Sequence, residues 1–228
     1  MGNGITAWSP SRLFTYEECP RKARYKFIEK LPDPGGPAMT RGTEIHGYAE
    51  GYVKGILPEA HATLSKVKPL LEELKAGHKK GVVKAELDLA VTQDWKPTSW
   101  FGSDAWARFK IDILWQVTPQ LARVIDWKTG KYKPDGEYAD QLNAYAVAAL
   151  SVLPTIEETT AQLVFTDHGF DPVERPEGTI DRPHLKLAQD YWTERVEPFF
   201  KDEVWVTRPG NACRWCPYGK GKNGPCEF

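Results

Sequence analysis

The sequence predicts one α/β domain in which helices pack against a mixed sheet of about four strands. Apolar residues alternate with polar ones over 82–91, 107–117 and 123–128, which is the two-residue period of a strand. A helical segment over 137–150 then separates these strands from a fourth, over 161–165. Strands that are close in sequence pair as hairpins, and the helical crossover returns the chain to the same sheet, so a mixed sheet is expected.

Helices are predicted before the first strand and after the last. Ser9 caps a helical stretch over 11–30, and Pro20 is expected to kink this stretch near Cys19. Further helices are predicted over 40–54, 59–76 and 185–200. We expect a single domain, 1–228, with three parts: an N-terminal helical segment with Cys19 (9–31), a core (40–170) and a cysteine-rich C-terminal tail (203–228).

Composition and charge are those of an ordinary globular protein. The net charge is −1, so any binding of nucleic acid depends on local basic clusters. The candidate clusters are Arg21-Lys22-Arg24-Lys26, Lys79-Lys80-Lys84, Lys128-Lys131-Lys133 and Lys220-Lys222, with scattered solvated lysines as the alternative interpretation. The apolar runs are too short to span a membrane, and the N-terminus lacks the features of a signal peptide. The expected location is therefore the cytoplasm of a bacterial or archaeal cell, or of the host cell if a phage encodes the chain.

Two aspartates on neighbouring strands indicate a metal site. If the turn over 118–120 closes symmetrically, Asp112 lies opposite Asp126. Like charges that oppose each other destabilise a sheet, so a bound cation is expected between them. Asp126 and Lys128 share one face of their strand because side chains alternate.

His46 and Glu86 are further candidates for the same site. His46 lies in a predicted helix, where a histidine by itself is more often a packed or surface residue than a ligand. Glu86, on the preceding strand, is either an accessory acid near the metal or part of an exposed face with Lys84 and Asp88. Carboxylate ligands suit Mg²⁺ or Mn²⁺, and an imidazole shifts the preference towards Mn²⁺.

This set of groups is sufficient for the hydrolysis of a phosphodiester. A divalent cation polarises a phosphoryl oxygen and lowers the pKa of an attacking water. Lys128 beside it would orient that water or stabilise the negative charge that develops on phosphorus.

The four cysteines indicate a second, separate metal centre. Cys213 and Cys216 form a CxxC pair, Cys226 follows in the tail, and Cys19 lies near the N-terminus. Disulfides are disfavoured in the cytosol, whereas a CxxC pair places two thiolates around one metal centre. The spacing by itself does not distinguish zinc from an iron–sulfur cluster.

These residues, in this order, resemble the RecB-type branch of the PD-(D/E)XK nuclease superfamily that carries iron–sulfur clusters. The branch includes CRISPR-associated exonucleases of spacer acquisition, the AddB nuclease domain and phage exonucleases. The resemblance rests on SPSRLFTYEECPRKARYKF, on GTEIH with His46, on Asp112 as the first acidic motif, on Asp126-Trp127-Lys128 as (D/E)xK, and on Gln141 with Tyr145 as QxxxY. The family often has a glycine shortly before the first aspartate, which leaves Asp104, after Gly102, as an alternative to Asp112.

The resemblance implies a restriction-endonuclease-like fold with 40–170 as its catalytic core. It implies that His46, Asp112, Asp126 and the Trp127 carbonyl bind Mg²⁺ or Mn²⁺, that Lys128 assists the nucleophile, and that Gln141 and Tyr145 position the substrate. It also implies that Cys19, Cys213, Cys216 and Cys226 hold a 4Fe–4S cluster that joins the N- and C-terminal segments.

The expected function is therefore that of a DNA exonuclease. Its expected substrate is linear DNA or single-stranded ends, and its expected protein partner is a recombination or CRISPR adaptation protein. Two other hypotheses remain: a nuclease-like module that binds DNA ends or a partner without cleavage, and a zinc-stabilised adaptor that acts through its tail. Cleavage polarity, the number of catalytic metals and the oligomeric state stay open.

Overall fold

Within the described residues the sheet has six strands, two more than the sequence predicts. The computed structural model describes residues 4–130, 138–168 and 178–228. The strands are β1 (Val83–Val91), β2 (Pro97–Thr98), β3 (Ala107–Gln116), β4 (Leu121–Lys128), β5 (Glu158–Phe165) and β6 (Ile180–Asp181). Their order is β2-β1-β3-β4-β5-β6. The prediction of about four strands missed β2 and β6. Each of these has two residues and is too short to show an alternating pattern.

The sheet is mixed, as predicted. β4 and β5 are parallel and every other neighbouring pair is antiparallel. The helices are α1 (Pro10–Glu18), α2 (Pro20–Ala23), α3 (Pro37–Val53), α4 (Lys68–Lys79), α5 (Ala139–Val152) and α6 (Leu185–Lys201). The crossover helix is α5, and Tyr138, which was predicted within it, is the residue before its first turn. Glu137, with Lys131 and Lys133 of the third basic cluster, lies outside the described residues.

The N-terminal helical stretch is interrupted where the sequence predicts a kink. Ser9 caps α1 by accepting a hydrogen bond from the backbone N–H of Arg12, and the helix ends at Glu18. Cys19 then adopts an extended conformation, and Pro20 begins α2. Proline disfavours the helical conformation in the residue before it, which explains why the chain leaves the helix at Cys19.

Two hydrophobic clusters cover the two faces of the sheet. One cluster packs α3 and α4 against Val83, Ile113 and Trp127. The other packs α1, α5 and α6 against Phe109, Val124 and further residues of β1, β3 and β5. Trp127 and Phe109, one in each cluster, are almost completely buried. Along the second half of β1 and the first half of β3 one face stays open to solvent, because Asp88 and Lys110 there are exposed.

The sheet bends at Glu86 in the middle of β1. Glu86 has a φ of 49°, in the left-handed region that residues with a side chain rarely adopt. Ala85 and Leu87 on either side keep their antiparallel partners on β3, and the register places Glu86 opposite Asp112. Val83, before the bend, packs in the α3/α4 cluster, and Leu89, after it, packs in the other. The bend therefore lies beside a predicted site residue.

The N-terminal helices contact both the end of α6 and the C-terminal tail. The Arg195 guanidinium donates to both oxygens of Glu17, at 2.7 and 2.9 Å, and the Tyr16 hydroxyl donates to Asp202 at 3.0 Å. The backbone N–H of Arg21 donates to the Val206 carbonyl at 3.2 Å. No helix in the described part of the chain is both long enough and apolar enough to cross a membrane.

Candidate active site

Asp112 lies where β3 and β4 separate, at the centre of the predicted site. The last backbone pair between these strands is Ile113–Ile125, and one step further the register places Asp112 opposite Asp126, as predicted. The backbone N–H of Trp127 donates to Asp112 Oδ2 at 2.7 Å, so a side chain replaces the next hydrogen bond of the ladder. The other oxygen, Oδ1, is 3.2 Å from His46 Nδ1 on α3.

His46, Glu86 and Asp112 form a group that fits a divalent cation. One potential ligand atom from each of the three lies within 4.8 Å of the other two, and no other such group of histidine, cysteine or acidic residues occurs in 4–130, 138–168 and 178–228. The donors are one imidazole nitrogen and carboxylate oxygens, which is the donor set of Mg²⁺ and Mn²⁺ sites. Glu86 is thus part of this group rather than only of an exposed strand face.

Asp126 belongs to a neighbouring polar network on the α5 side of the sheet. Its Oδ2 is 2.5 Å from Lys128 Nζ, and its Oδ1 accepts a hydrogen bond from Gln141 Nε2 at 3.1 Å. Gln141 Oε1 accepts from Lys128 Nζ at 3.3 Å, and Gln141 Nε2 also donates to the Tyr145 hydroxyl at 2.9 Å. The four residues that the motifs single out therefore contact one another as one network.

Burial and mutual repulsion raise the pKa values of Asp126 and Glu86. Burial raises the pKa of Asp126 to about 6, against the opposing charge of Lys128, and Asp112 adds to the rise. Burial and the charge of Asp112 raise the pKa of Glu86. Burial lowers the pKa of His46, but the hydrogen bond and charge of Asp112 outweigh it, so the pKa of His46 lies above its usual value. The site thus favours bound positive charge.

The backbone of Trp127 faces the same group. In a strand the N–H and C=O of one residue point to the same neighbouring strand. Because the Trp127 N–H donates to Asp112, its carbonyl is directed towards the β3 side as well. The side chain of Trp127 is 1% exposed and anchors this segment of β4 in the α3/α4 cluster.

Asp104, the alternative to Asp112, lies apart from the group. Its Oδ1 accepts a hydrogen bond from Thr98 Oγ1 at 2.6 Å in an exposed turn. Its position before β3 separates it from His46 and Glu86, so the geometry favours Asp112.

A polar junction beside the site was not predicted from the sequence. The Asp167 carboxylate, after β5, is 2.5 Å from Arg41 Nη2 on α3 and accepts from the Gly130 backbone N–H at 2.7 Å. The Asp167 carbonyl accepts from Lys66 Nζ at 2.6 Å. Tyr138 also escaped prediction, and its ring centroid is 4.8 Å from Lys128 Nζ. These contacts join residues distant in sequence, so no local pattern could have revealed them.

The four cysteines are free and line one cavity between the chain segments they come from. The cavity wall includes Cys19 at the α1–α2 break and Cys213, Cys216 and Cys226 of the tail. Backbone N–H groups of Arg208 and Gly210 donate to the sulfurs of Cys19 and Cys213, at 3.5 and 3.4 Å. The sulfurs do not come within 4.8 Å of one another in any group of three.

A mixed sheet that holds an imidazole and two carboxylates beside a buried aspartate–lysine pair defines a class of metal-dependent hydrolases. The chain belongs to the PD-(D/E)XK nuclease superfamily, whose family model matches residues 7–220. Members of this superfamily are generally nucleases that use divalent metals and act on DNA. The matched residues include the whole candidate site.

A crystal structure of SSO0001 aligns with a TM-score of 0.49 and 13% identity, over 98% of this chain and 88% of the other. No curated protein matches the chain.

Proposed function

We propose that the protein is a divalent-metal-dependent deoxyribonuclease that degrades DNA from its ends. One observation carries this proposal: the His46–Glu86–Asp112 donor group lies beside the Asp126–Lys128 pair in a chain of a nuclease superfamily. In this proposal His46, Glu86 and Asp112 hold Mg²⁺ or Mn²⁺, and the motif resemblance adds Asp126 and the Trp127 carbonyl as further ligands. When bound there, the cation supplies a Lewis acid for the phosphoryl group and a lowered pKa for water.

Lys128 is the residue assigned to the nucleophile and to the charge on phosphorus. Its ammonium is held between Asp126 Oδ2 and Gln141 Oε1, so its position is fixed before substrate binds. A fixed ammonium beside a scissile phosphate stabilises the negative charge that grows on the phosphoryl oxygens as water attacks and the P–O bond to the leaving sugar oxygen breaks. A preorganised charge of this kind requires little rearrangement during the reaction.

Gln141 and Tyr145 are assigned to positioning. Gln141 contacts Asp126, Lys128 and Tyr145 at once, so it couples the orientation of the acid to that of the lysine. The Tyr145 side chain is 8% exposed, and burial and the charge of Asp126 raise its pKa. Its hydroxyl therefore stays protonated at neutral pH and serves as a hydrogen-bonding group.

The four cysteines are assigned to a 4Fe–4S cluster that joins the N- and C-terminal segments. All four line one cavity, and backbone N–H groups point at two of the sulfurs, an arrangement that suits cluster sulfurs. A single tetrahedral zinc with bonds of about 2.3 Å needs its sulfurs about 3.8 Å apart. No group of three sulfurs among the described residues meets that spacing, so the assignment to iron and sulfide rests on the motif resemblance.

The biological setting that we propose is DNA processing in phage recombination or CRISPR spacer acquisition, in the cytoplasm. The partner would be a recombination or adaptation protein that presents DNA ends. These assignments rest on the motif resemblance, and His46, Asp112, Asp126-Trp127-Lys128 and Gln141 with Tyr145 lie in or next to the site.

The test is degradation of end-labelled linear DNA and covalently closed circular DNA with Mg²⁺, Mn²⁺ or EDTA. We expect metal-dependent loss of the linear DNA, a spared circle, and no cleavage by Asp126→Ala. If cluster-loaded wild type leaves linear DNA intact with every metal, the nuclease proposal fails and a module that binds DNA ends takes its place. Cleavage of the circle would contradict only the exonuclease part.

A further inference from the structure

We propose that a strip of cationic and aromatic side chains leads single-stranded DNA to the candidate active site. The β3 strip consists of Trp100, Phe101, Arg108 and Lys110, on β3 and the turn before it. This inference deepens the proposed nuclease function and rests on it. It adds a binding surface and a preference for single strands over duplex.

The alternation of β3 aligns the strip with the metal-binding group. Arg108, Lys110 and Asp112 are two residues apart and therefore share one side of the strand. At about 3.3 Å per residue, Lys110 lies about 7 Å and Arg108 about 13 Å from Asp112 along β3. The register also pairs Lys110 with Asp88, two residues beyond Glu86 on β1. The strip thus begins at the site.

The aromatic end of the strip is a turn with a fixed shape. The backbone N–H of Gly102 donates to the Ser99 carbonyl at 2.9 Å, which closes the turn around Trp100 and Phe101. The Arg108 side chain donates to the Trp100 carbonyl at 2.8 Å and so fastens the turn to β3. Phe101 projects from this turn with 87% of its surface exposed.

The cations of the strip lie close to its aromatic rings. The Lys110 ammonium is 5.8 Å and the Arg108 guanidinium 5.9 Å from the centroid of the Trp100 ring. Lys110 also lies 3.5 Å from Asp88, but both side chains are more than half exposed, and such a pair contributes little stability. A phosphate can therefore replace Asp88 as the partner of Lys110 without much cost.

These properties fit a single DNA strand. Proteins that bind single strands combine cations along the backbone with aromatic side chains on which bases stack. In a duplex the faces of the bases are already stacked on one another, so an exposed ring such as Phe101 gains a base only from an unpaired strand. Phosphates would contact Lys110 and Arg108 on the path towards Asp112.

Binding without cleavage tests the strip. Fluorescence anisotropy with a labelled oligothymidine and with a blunt duplex of the same length, in EDTA, compares wild type with Phe101→Leu and Phe101→Tyr. Loss of base stacking costs about 1–3 kcal/mol per base, so we expect Phe101→Leu to weaken single-strand binding about 5- to 100-fold. Phe101→Tyr, which keeps the ring, should bind as wild type does, and duplex affinity should not change in either variant.

A charge variant tests the other half of the strip. We expect Lys110→Ala to weaken single-strand binding and to reduce the salt dependence of log K by about 0.7, the contribution of one phosphate contact. Lys186→Ala, which removes an exposed lysine of α6 that is also paired with an aspartate, is the matched control and should change neither.

The outcomes separate this inference from the proposed function. Equal affinity of wild type and Phe101→Leu for the single strand overturns the strip, as does an equal loss in Phe101→Leu and Phe101→Tyr. If these variants bind as wild type does while the wild type cuts DNA, the nuclease proposal stands alone. If the wild type binds single strands through Phe101 but cuts nothing, the strip stands and the nuclease proposal fails.

Discussion

Gln141 is the side chain on which the geometry of the catalytic network depends most. Its amide contacts Asp126, Lys128 and Tyr145, so its loss frees the lysine and the acid together. We expect Gln141→Ala to lower kcat about 10- to 100-fold with little change in KM, since small errors of position are costly in catalysis. The control for nuclease rates is Gln189→Ala. Within the described residues the Gln189 amide donates to Ser151, outside the catalytic network, so this variant should behave as wild type.

The carboxylate of Asp167 predicts how the free energy of unfolding depends on pH. The Arg41 hydrogen bond, opposed by burial, holds the pKa of Asp167 below its usual value. The stabilisation is therefore complete above the unfolded pKa of about 3.9 and is lost as the pH falls through the lower folded pKa.

Urea unfolding of wild type and Asp167→Asn checks this sign. The pair is partly exposed, so we expect the variant to be less stable at pH 7 by less than about 1 kcal/mol. The difference should shrink as the pH is lowered below about 4. A difference that grows on acidification would contradict the assignment.

Much of the site was predictable residue by residue because strands alternate. The positions of Asp112, Asp126 and Lys128 followed from period-two patterns and from one short turn, and the register agrees with that prediction. The separation of Asp126 from the His46–Glu86–Asp112 group did not follow, because it depends on how Gln141 of α5 packs across the sheet. Contacts between elements are not encoded in local periodicity.

At the scale of the element, the bend in β1 is the feature that sequence patterns do not reveal. Glu86 is flanked by regular alternation, yet its φ is 49°. A left-handed residue with a side chain costs about 1–2 kcal/mol, so the neighbouring contacts must hold it. The bend brings a carboxylate to His46 and Asp112, which accounts for keeping a strained acid at this position.

Because of this strain, we expect a glycine to affect stability in opposite directions at Glu86 and at a nearby position of β1. We expect Glu86→Gly to retain or raise stability to urea, and Glu86→Val to lower it by about 1–2 kcal/mol or more. Lys84 is an exposed residue of the same strand without a left-handed φ, and there the order should reverse, with Lys84→Val more stable than Lys84→Gly. The same order of glycine and valine at both positions would rule out strain at Glu86.

At the scale of the whole molecule, the cysteine cavity joins segments almost two hundred residues apart in sequence. If a cluster closes this loop, it restricts the unfolded chain by about 3–5 kcal/mol. We expect Cys213→Ser to lose the broad visible absorbance and the bound iron and sulfide of the anaerobically purified protein, and to unfold at lower temperature. Ala212→Ser, which changes the neighbouring residue in the cavity wall, should keep the absorbance, the iron and sulfide, and the unfolding temperature of the wild type.

Metal analysis decides between the two kinds of centre. A colourless wild type that contains zinc would show that the cysteines bind zinc and not an iron–sulfur cluster. A Cys213→Ser variant that keeps its colour would remove this cysteine from the ligand set. In either case the His46–Glu86–Asp112 group is separate from the cysteines, so a residual metal-dependent activity is expected in folded variants.

The overall architecture was predictable where elements are long and regular. The three long strands β1, β3 and β4, the crossover and the break at Cys19 all lie within a few residues of their predicted bounds. The edge strands β2 and β6 pair with the backbone groups of β1 and β5, and two residues are enough to form each pair. Such pairing is a property of the assembled sheet and leaves no pattern in the sequence.

The hydrogen bond from the Trp127 backbone to Asp112 has a consequence for ion selectivity. It uses one lone pair of Oδ2 and makes Oδ1, on the side of His46, the oxygen of Asp112 that is more available to a cation. A large ion such as Ca²⁺ gains much of its affinity from carboxylates that chelate with both oxygens and from a high coordination number, whereas Mg²⁺ and Mn²⁺ accept one oxygen from each ligand. The hydrogen bond from the Trp127 amide thus makes Oδ2 of Asp112 a poorer metal ligand. We therefore expect Ca²⁺ to compete poorly with Mg²⁺ and Mn²⁺ at this centre.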